Sequence, residues 1–262
     1  MLQTIDNFPY LKTLQVGEPF PNEAPGFVVA HSGRDFGNMD TRFGPAKSVR
    51  QARSTLRRLT PAEHTYVLWP QNELEFADLT APPETYQRQM RTTFPGETAV
   101  VGDGLITNQP HTGLMLNPGD CLPVAVYQPN TGQLGLIHMG WRGSVGGLHT
   151  KMLEHMDFDP QDAVAYIGPG IQQKSYYTPG LQPSQEINPL WRPNILQTET
   201  GYYINLAGFA RDCLINYGFD AQAIVDSGID TAADDNQYFS FTRHKQYGEP
   251  NGRNGFMVVA SA

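Results

Sequence analysis

The chain has 262 residues and a formal net charge of −8, with 39% apolar residues, 26 glycines, 21 prolines and two cysteines. The chain is acidic and has no basic run beyond 53–58, which argues against a nucleic-acid partner. We interpret the run 53–58 as the solvated face of a helix. No apolar stretch approaches the roughly 20 residues that span a bilayer, and two cysteines cannot build a disulfide framework.

Apolar periodicity and turn residues predict short helices and strands in mixed order. We expect helices over 47–59, 144–156 and 205–217, and strands over 66–69, 99–107, 113–116, 122–127, 134–138, 163–167, 223–225 and 256–260. Segment 77–96 is a polar insertion with a helical turn near 85–91, and 179–193, with its four prolines, is a loop. Without strict βαβ alternation, the pattern favours an α+β fold with mixed sheets, in one domain spanning 1–262.

One strand pair carries the residues of chemical interest. Cys121 precedes the apolar run 122–127, His138 ends the run 134–138, and a Pro-Asn-Thr-Gly turn separates the two runs. Paired strands would bring Cys121 and His138 to about 5 Å, which is close enough for one metal ion. A buried core cysteine and a hydrogen-bonded core histidine are the alternative interpretation.

The residues beside this pair also suggest a site. Asp120 adjoins the cysteine, where a carboxylate can orient a ligand or move a proton. Gly140-Trp141-Arg142-Gly143 follows the histidine and leads into a helix, an arrangement that suits an anion. A structural ion pair is the alternative role for Arg142.

Several motifs in order resemble one known family. The sequences GDCLPV at 119–124 and HMGWRG at 138–143 closely match the signature of the family called polyphenol oxidoreductase laccase-type, YfiH-like or purine nucleoside phosphorylase. DGLITN at 103–108, IGPGI at 167–171, YFSF at 238–241 and NGR at 251–253 are similar to further family elements. The resemblance is clear from residue 100 onward and faint before residue 60.

The resemblance implies a single domain with an α/β/β/α sandwich and one zinc ion held by two histidines and a cysteine. It implies Cys121 and His138 as two of these metal ligands. The third lies in a Gln-Val-His-Gly motif of the family, and here Glu73 stands at the histidine position, with His64 or His111 as substitutes nearby. Zinc accepts a Glu/Cys/His set, and an imidazole-to-carboxylate exchange predicts weaker binding.

The resemblance also implies a zinc-dependent enzyme that processes purine nucleosides, by phosphorolysis of adenosine or inosine and by adenosine deamination. In that interpretation Asp120 moves protons while Arg142 and Arg243 hold phosphate or ribosyl oxygens. The laccase name implies copper clusters, for which seven scattered histidines are too few.

Two alternatives remain open: a hydrolase that edits a peptidoglycan precursor, with 77–96 reshaping access, and a non-catalytic relative that binds a ligand or partner. Residues 1–14 lack the basic start and apolar core of a signal peptide. We therefore expect a cytoplasmic protein with reduced thiols. We also expect a small-molecule substrate, no nucleic-acid or membrane partner, and a monomeric or small homo-oligomeric state.

Overall fold

The computed structural model describes residues 2–4, 11–15, 26–156, 158–233 and 237–261. Seventeen strands are assigned within them: β1 Leu2–Thr4, β2 Leu11–Gln15, β3 Gly26–Ser32, β4 His64–Trp69, β5 Phe76–Asp78, β6 Met90–Thr92, β7 Glu97–Val101, β8 Gly104–Thr107, β9 Thr112–Leu116, β10 Leu122–Gln128, β11 Gln133–Met139, β12 Val164–Ile167, β13 Tyr177–Thr178, β14 Ile195–Gln197, β15 Tyr202–Ile204, β16 Ile224–Asp226 and β17 Gly255–Ser261. Six α-helices accompany them: α1 Ala46–Arg58, α2 Trp141–Val145, α3 Leu148–His155, α4 Pro183–Ile187, α5 Leu206–Tyr217 and α6 Phe241–Tyr247. The signal-peptide expectation concerns residues 1–14, of which 1 and 5–10 lie outside the described residues.

The strands form two large mixed sheets and one small antiparallel sheet. One sheet has the order β1-β2-β3-β17-β9-β4-β7-β6, the second has the order β16-β12-β10-β11-β8-β5, and the small sheet has the order β13-β15-β14. Parallel pairs such as β4–β7 and β12–β16 occur beside antiparallel pairs such as β10–β11. The mixed pairing confirms the α+β prediction.

The two large sheets pack face to face, with helices on their outer faces. Strand β10 shows this alternation residue by residue: Ala125 and Tyr127 face the apolar core between the sheets, whereas Val124 and Val126 face α3 and α5. On the other side, α1 packs on the outer face of the eight-stranded sheet. This is the α/β/β/α sandwich that the family resemblance implies, and the burial of both sheet faces explains the continuous apolar runs in the sequence.

Two predicted elements are each divided in the structure. The run 99–107 was predicted as one strand, but it crosses from one sheet to the other, with β7 in the first and β8 in the second. The predicted helix 144–156 is two helices, because Gly147 adopts a left-handed conformation, φ 73°, between α2 and α3. Both corrections arise from glycine-containing turns inside apolar runs.

Three further expectations need correction. Segment 77–96 has the predicted helical turn, as 3-10 helix at Gln87–Gln89, but it also contains a second 3-10 turn, β6 and part of β5. Segment 179–193 contains α4 and is not all loop. Arg53 is buried rather than on a solvated face: its Nε donates to the Met39 carbonyl oxygen at 2.7 Å, and its Nη1 pairs with Glu97 at 3.3 Å. Burial in the interface between α1 and its sheet requires such partners for a guanidinium.

A buried histidine in α3 makes the stability of the folded chain depend on pH. His149 is buried against the Phe209 ring, 5.9 Å between centroids and nearly perpendicular, and burial lowers the pKa of His149 to about 4. The unfolded chain takes up a proton on this residue near pH 6.5, whereas the folded chain does so only near pH 4. Its contribution to stability is therefore present above about pH 6.5 and is lost as the pH falls towards 4.

We predict that His149→Leu reduces the loss of stability between pH 7 and pH 5 by up to about 2 kcal/mol relative to the unmodified chain. Urea unfolding at the two pH values measures this difference. Titrating carboxylates affect both chains equally, so the comparison isolates His149. Identical pH dependence in the two chains would contradict the prediction.

Candidate active site

The hairpin of β10 and β11 places Cys121 beside His138, as predicted. Pro123 pairs with His138 and Leu122 with Met139, so Cys121 lies opposite Gly140 at the open end of the hairpin. A Cβ atom at Gly140 would lie 3.0 Å from Cys121 Sγ and 3.5 Å from His138 Nε2. The absent side chain of Gly140 therefore leaves the space in which the thiol and the imidazole meet.

The orientation of the His138 ring is set by Asp103. His138 Nδ1 lies 3.2 Å from Asp103 Oδ1, and the two side chains are 8% and 1% exposed. With Nδ1 on the carboxylate, Nε2 faces the thiol. Burial lowers the pKa of His138, but the Cys121 charge and the hydrogen bonds to Asp103 and Cys121 outweigh burial and raise the pKa to about 9.

Asp103 is itself held by a short backbone loop. Its carboxylate accepts the N–H groups of Asn72 at 3.0 Å, Glu73 at 2.8 Å and Leu74 at 3.1 Å. Asn72 and Leu74 both have positive φ, 60° and 61°, which turns the three N–H groups towards one anion. Burial raises the pKa of Asp103, but the hydrogen bonds from His138 and from this loop hold it below its usual range. Sequence reasoning noted 103–108 only as a family element and missed this role.

The structure does not bring Glu73 to the Cys121–His138 pair as a ligand. The Glu73 side chain is exposed and does not line the pocket around the pair. Within the described ranges, no three His, Cys, Asp or Glu side chains are grouped so that they could hold a metal ion. The loop is anchored through its backbone, which leaves the Glu73 carboxylate exposed to solvent. The part of Glu73 in a metal site stays a prediction.

The two substitute histidines lie away from the site. His64 begins β4 and His111 precedes β9, whereas the residues after the other ends of these strands, Pro70 and Asn117, line the pocket. The length of β4 alone separates the two ends by about 16 Å. His64 instead contacts Thr98 Oγ1 at 3.1 Å.

Asp120 connects the segment that carries Cys121 to two other segments of the chain, at Thr231 and at 240–242. Its carboxylate accepts hydrogen bonds from Thr231 Oγ1 at 2.8 Å, Ser240 Oγ at 3.0 Å and the Thr242 N–H at 2.7 Å. Asp120 also has a positive φ of 87°, an uncommon conformation that such contacts can hold in place. These bonds position the chain at Cys121, and a part in proton transfer stays a prediction.

The two predicted arginines differ in position. Arg142 lines the pocket of Cys121 and His138, is exposed, and stacks over the Trp141 ring at 4.8 Å. Arg243 is buried in α6, where it donates to the carbonyl oxygens of Ala233 and Tyr238 and pairs with Glu249 at 3.3 Å. Arg243 thus braces the polypeptide backbone and does not line this pocket, and its part in substrate binding stays a prediction.

The pocket has a volume of about 280 Å³ and contains two arginines that sequence reasoning did not assign. Arg42 enters from the loop before α1, and Arg253 from the segment before β17. Arg253 lies in the NGR motif, and this motif was the available sequence signal for its place in the pocket. Arg42 gave none, because the family resemblance is faint before residue 60.

These features agree with the family assignment. Residues 37–260 match the family described as multi-copper polyphenol oxidoreductase laccase, and the chain belongs to that family. It is similar to a purine nucleoside phosphorylase of Bacteroides thetaiotaomicron, 29% identical over 54% of this chain and 55% of the relative. It is also similar to the purine nucleoside phosphorylase YlmD of Geobacillus stearothermophilus, 32% identical over 56% of this chain and 57% of the relative. The chain thus spans little more than half the length of these curated relatives.

Solved structures show the same fold over more of the chain. The crystal structure of YlmD from Geobacillus stearothermophilus matches with a TM-score of 0.72 and 25% identity, over 94% of each chain. A Bacillus licheniformis protein, YfiH, matches with a TM-score of 0.72 and 21% identity, over 86% of this chain and 85% of that one. Among the described helices, none has the length and apolar character to cross a membrane.

The space at Gly140 provides a test of the thiol–imidazole contact. We predict that Gly140→Ala displaces Cys121 Sγ by a few tenths of an ångström, because the new Cβ would lie 3.0 Å from it. A weaker contact with the thiol should lower the pKa of His138 from about 9 in the metal-free protein. A nuclear magnetic resonance titration of the His138 ring measures this change.

Gly180→Ala is the matched control, because a Cβ atom at Gly180 would meet no atom within 4 Å. The control should leave the His138 titration at its original position. An unchanged titration in Gly140→Ala, with the fold intact, would show that the thiol and the ring do not share this space.

Proposed function

We propose that this chain is a zinc-dependent enzyme that processes purine nucleosides, by phosphorolysis of adenosine or inosine, by adenosine deamination, or by both. The observation that carries the proposal is the Asp103–His138–Cys121 arrangement at the edge of an arginine-lined pocket. The relatives named purine nucleoside phosphorylase supply the substrate class. A cytoplasmic location and a monomeric or small homo-oligomeric state remain predictions beside it.

The donor set supports a metal ion at Cys121 and His138. A thiolate and an imidazole are ligands that zinc prefers, and a carboxylate on the remote imidazole nitrogen is the usual outer partner of a zinc-bound histidine. Asp103 supplies that carboxylate here. Because the described residues provide this pair and no third grouped ligand, we expect zinc to bind more weakly than at a three-ligand site.

A zinc ion held by Cys121 and His138 would lower the pKa of bound water and polarise a substrate oxygen. The protein's own part is to bind and orient the substrate. Arg142 offers a guanidinium for phosphate oxygens, and the partly exposed rings of Trp141 and Phe241 line the same pocket with flat surfaces for a base or ribose. Asp120 holds the segment that carries Cys121.

Segment 77–96 does not line this pocket, so the structure offers nothing in favour of the peptidoglycan-editing alternative in which that segment reshapes access. The non-catalytic alternative is tested together with the proposal. A panel of adenosine and inosine, with and without phosphate, separates phosphorolysis from deamination and from an absence of turnover.

We predict that Cys121→Ala and His138→Ala each abolish zinc binding and nucleoside turnover while the domain stays folded. Each removes one of two ligands, and neither side chain belongs to the apolar clusters that the other residues of this hairpin help to form. Elemental analysis, circular dichroism and the nucleoside panel give the three readouts. The unmodified protein should contain less than one zinc ion per chain.

Cys213→Ala is the control, because Cys213 is buried in α5 and belongs to the core beneath the helices. It should keep zinc and turnover despite some loss of stability. Undiminished turnover in Cys121→Ala would refute the metal-centred proposal and favour the non-catalytic alternative.

We also predict that Asp103→Asn lowers zinc affinity by about 10- to 100-fold, because the neutral amide orients and polarises His138 less well. Competition with a chromogenic chelator measures the affinity. Asp78→Asn is the matched control: the partly buried Asp78 contacts the exposed His155 at 2.9 Å, outside the pocket. Equal zinc affinity in both variants would remove Asp103 from the metal site.

A further inference from the structure

One buried amide in the pocket beside Cys121 and His138 has no hydrogen-bond partner in the protein. Asn117 lines this pocket and is 8% exposed. Within the described residues, no protein group contacts its Oδ1 or its Nδ2 at hydrogen-bond distance. Buried polar atoms in native proteins are nearly always paired, because leaving one unpaired is unfavourable. The partner of Asn117 is therefore a water molecule or a ligand in the pocket.

Its location distinguishes Asn117 from other residues with a buried polar atom that lacks a partner. Such atoms also occur, outside this pocket, at Thr65, Thr93, Gln133, His149 and Trp191. A molecule that binds beside Cys121 and His138 does not meet those residues. Asn117 is placed where such a molecule supplies the missing contact.

The backbone at Asn117 is held on both sides, whereas its amide is not. Asn117 follows β9, whose last residue, Leu116, pairs with Phe256 of β17. The carbonyl oxygen of Pro118, the next residue, accepts the Asn254 N–H at 2.9 Å. No hydrogen bond resists a half-turn of the amide about its last side-chain bond. Such a turn exchanges the positions of Oδ1 and Nδ2.

A side-chain amide that can turn in this way presents either an acceptor or a donor to a ligand. Its oxygen accepts an N–H group, and its nitrogen donates to an oxygen. A 6-amino purine such as adenosine offers an N–H donor at position 6, and a 6-oxo purine such as inosine offers an oxygen acceptor there. We propose that Asn117 binds the substituent at position 6 of a purine and lets one pocket accept both kinds of nucleoside. This assignment rests on the proposed function for the substrate class.

Burial makes Asn117 the more selective of the two amides that line the pocket. Asn72 lines it as well but is exposed, so water replaces any contact that a ligand fails to make. A buried amide is left unpaired when the ligand lacks the matching group, and this penalty separates a substrate from its analogue. The arginines of the lining have no acceptor atom, so they cannot bind a 6-amino group.

Calorimetric titration of the metal-depleted protein tests the assignment without turnover. The ligands are adenosine, inosine and purine riboside, which has only hydrogen at position 6 of the base. The unmodified chain should bind adenosine and inosine roughly three- to tenfold more tightly than purine riboside, the range expected of one neutral hydrogen bond. Equal affinity for the three ligands would overturn the assignment.

Asn117→Leu removes both the donor and the acceptor at similar size, so it should bind all three ligands about as weakly as purine riboside. Asn117→Asp, titrated at about pH 8 where a carboxyl group is ionised, keeps an acceptor and lacks a donor. It should retain adenosine and lose inosine, and it serves if Asn117→Leu folds poorly. Asn216→Leu is the matched control, the same exchange at an exposed position of α5 outside the pocket, and should bind as the unmodified chain does.

Two results with the folded Asn117→Leu protein would overturn the assignment. One is unchanged discrimination among the three ligands. The other is a loss of zinc affinity with nucleoside binding unchanged, which would make Asn117 a metal ligand instead.

These outcomes are distinct from failure of the proposed function. Discrimination that depends on Asn117, without nucleoside turnover, would refute the function and leave the assignment standing. Turnover of both nucleosides with discrimination that is indifferent to Asn117 would do the reverse. Failure of all three ligands to bind would refute both.

Discussion

The buried carboxylate of Asp103 is the group on which the site depends. It lies where the chain passes from the first large sheet into the second, and it accepts four hydrogen bonds, three from the loop 72–74 and one from His138. A carboxylate that is 1% exposed is costly without such partners. The need to satisfy it therefore fixes both the loop and the imidazole, and the imidazole in turn faces Cys121.

A second buried carboxylate gives the other side of the hairpin the same kind of support. Asp120 joins the start of β10 to Thr231 and to the beginning of α6, segments more than a hundred residues away along the chain. Cys121 thus follows Asp120 in sequence, and His138 contacts Asp103 in space. Each of these two carboxylates accepts several hydrogen bonds. These hydrogen bonds specify the positions of the site residues, because buried polar groups at the ends of the strands must find partners, whereas the apolar faces of the same strands only need to be covered.

The local elements could largely be predicted from the sequence. The hairpin of 122–127 and 134–138 was predicted with its turn, because apolar runs around a Pro-Asn-Thr-Gly turn specify both strand pairing and register. Helix 205–217 was predicted within one residue of its start. The divided run 99–107 was not, since an apolar run looks the same whether it stays in one sheet or crosses between two. The layered sandwich came from the family resemblance rather than from periodicity.

The sequence by itself determined that Cys121 and His138 meet, because strand pairing is a local consequence of turn chemistry and alternation. Only the tertiary structure decided what surrounds them. The Glu73 carboxylate points to solvent because its loop is held by the backbone, and Arg243 braces α6 rather than the pocket. Arg42 and Arg253 come together from opposite ends of the chain. Such contacts join residues far apart in sequence, and no local pattern encodes which distant side chains will share the edge of a sheet.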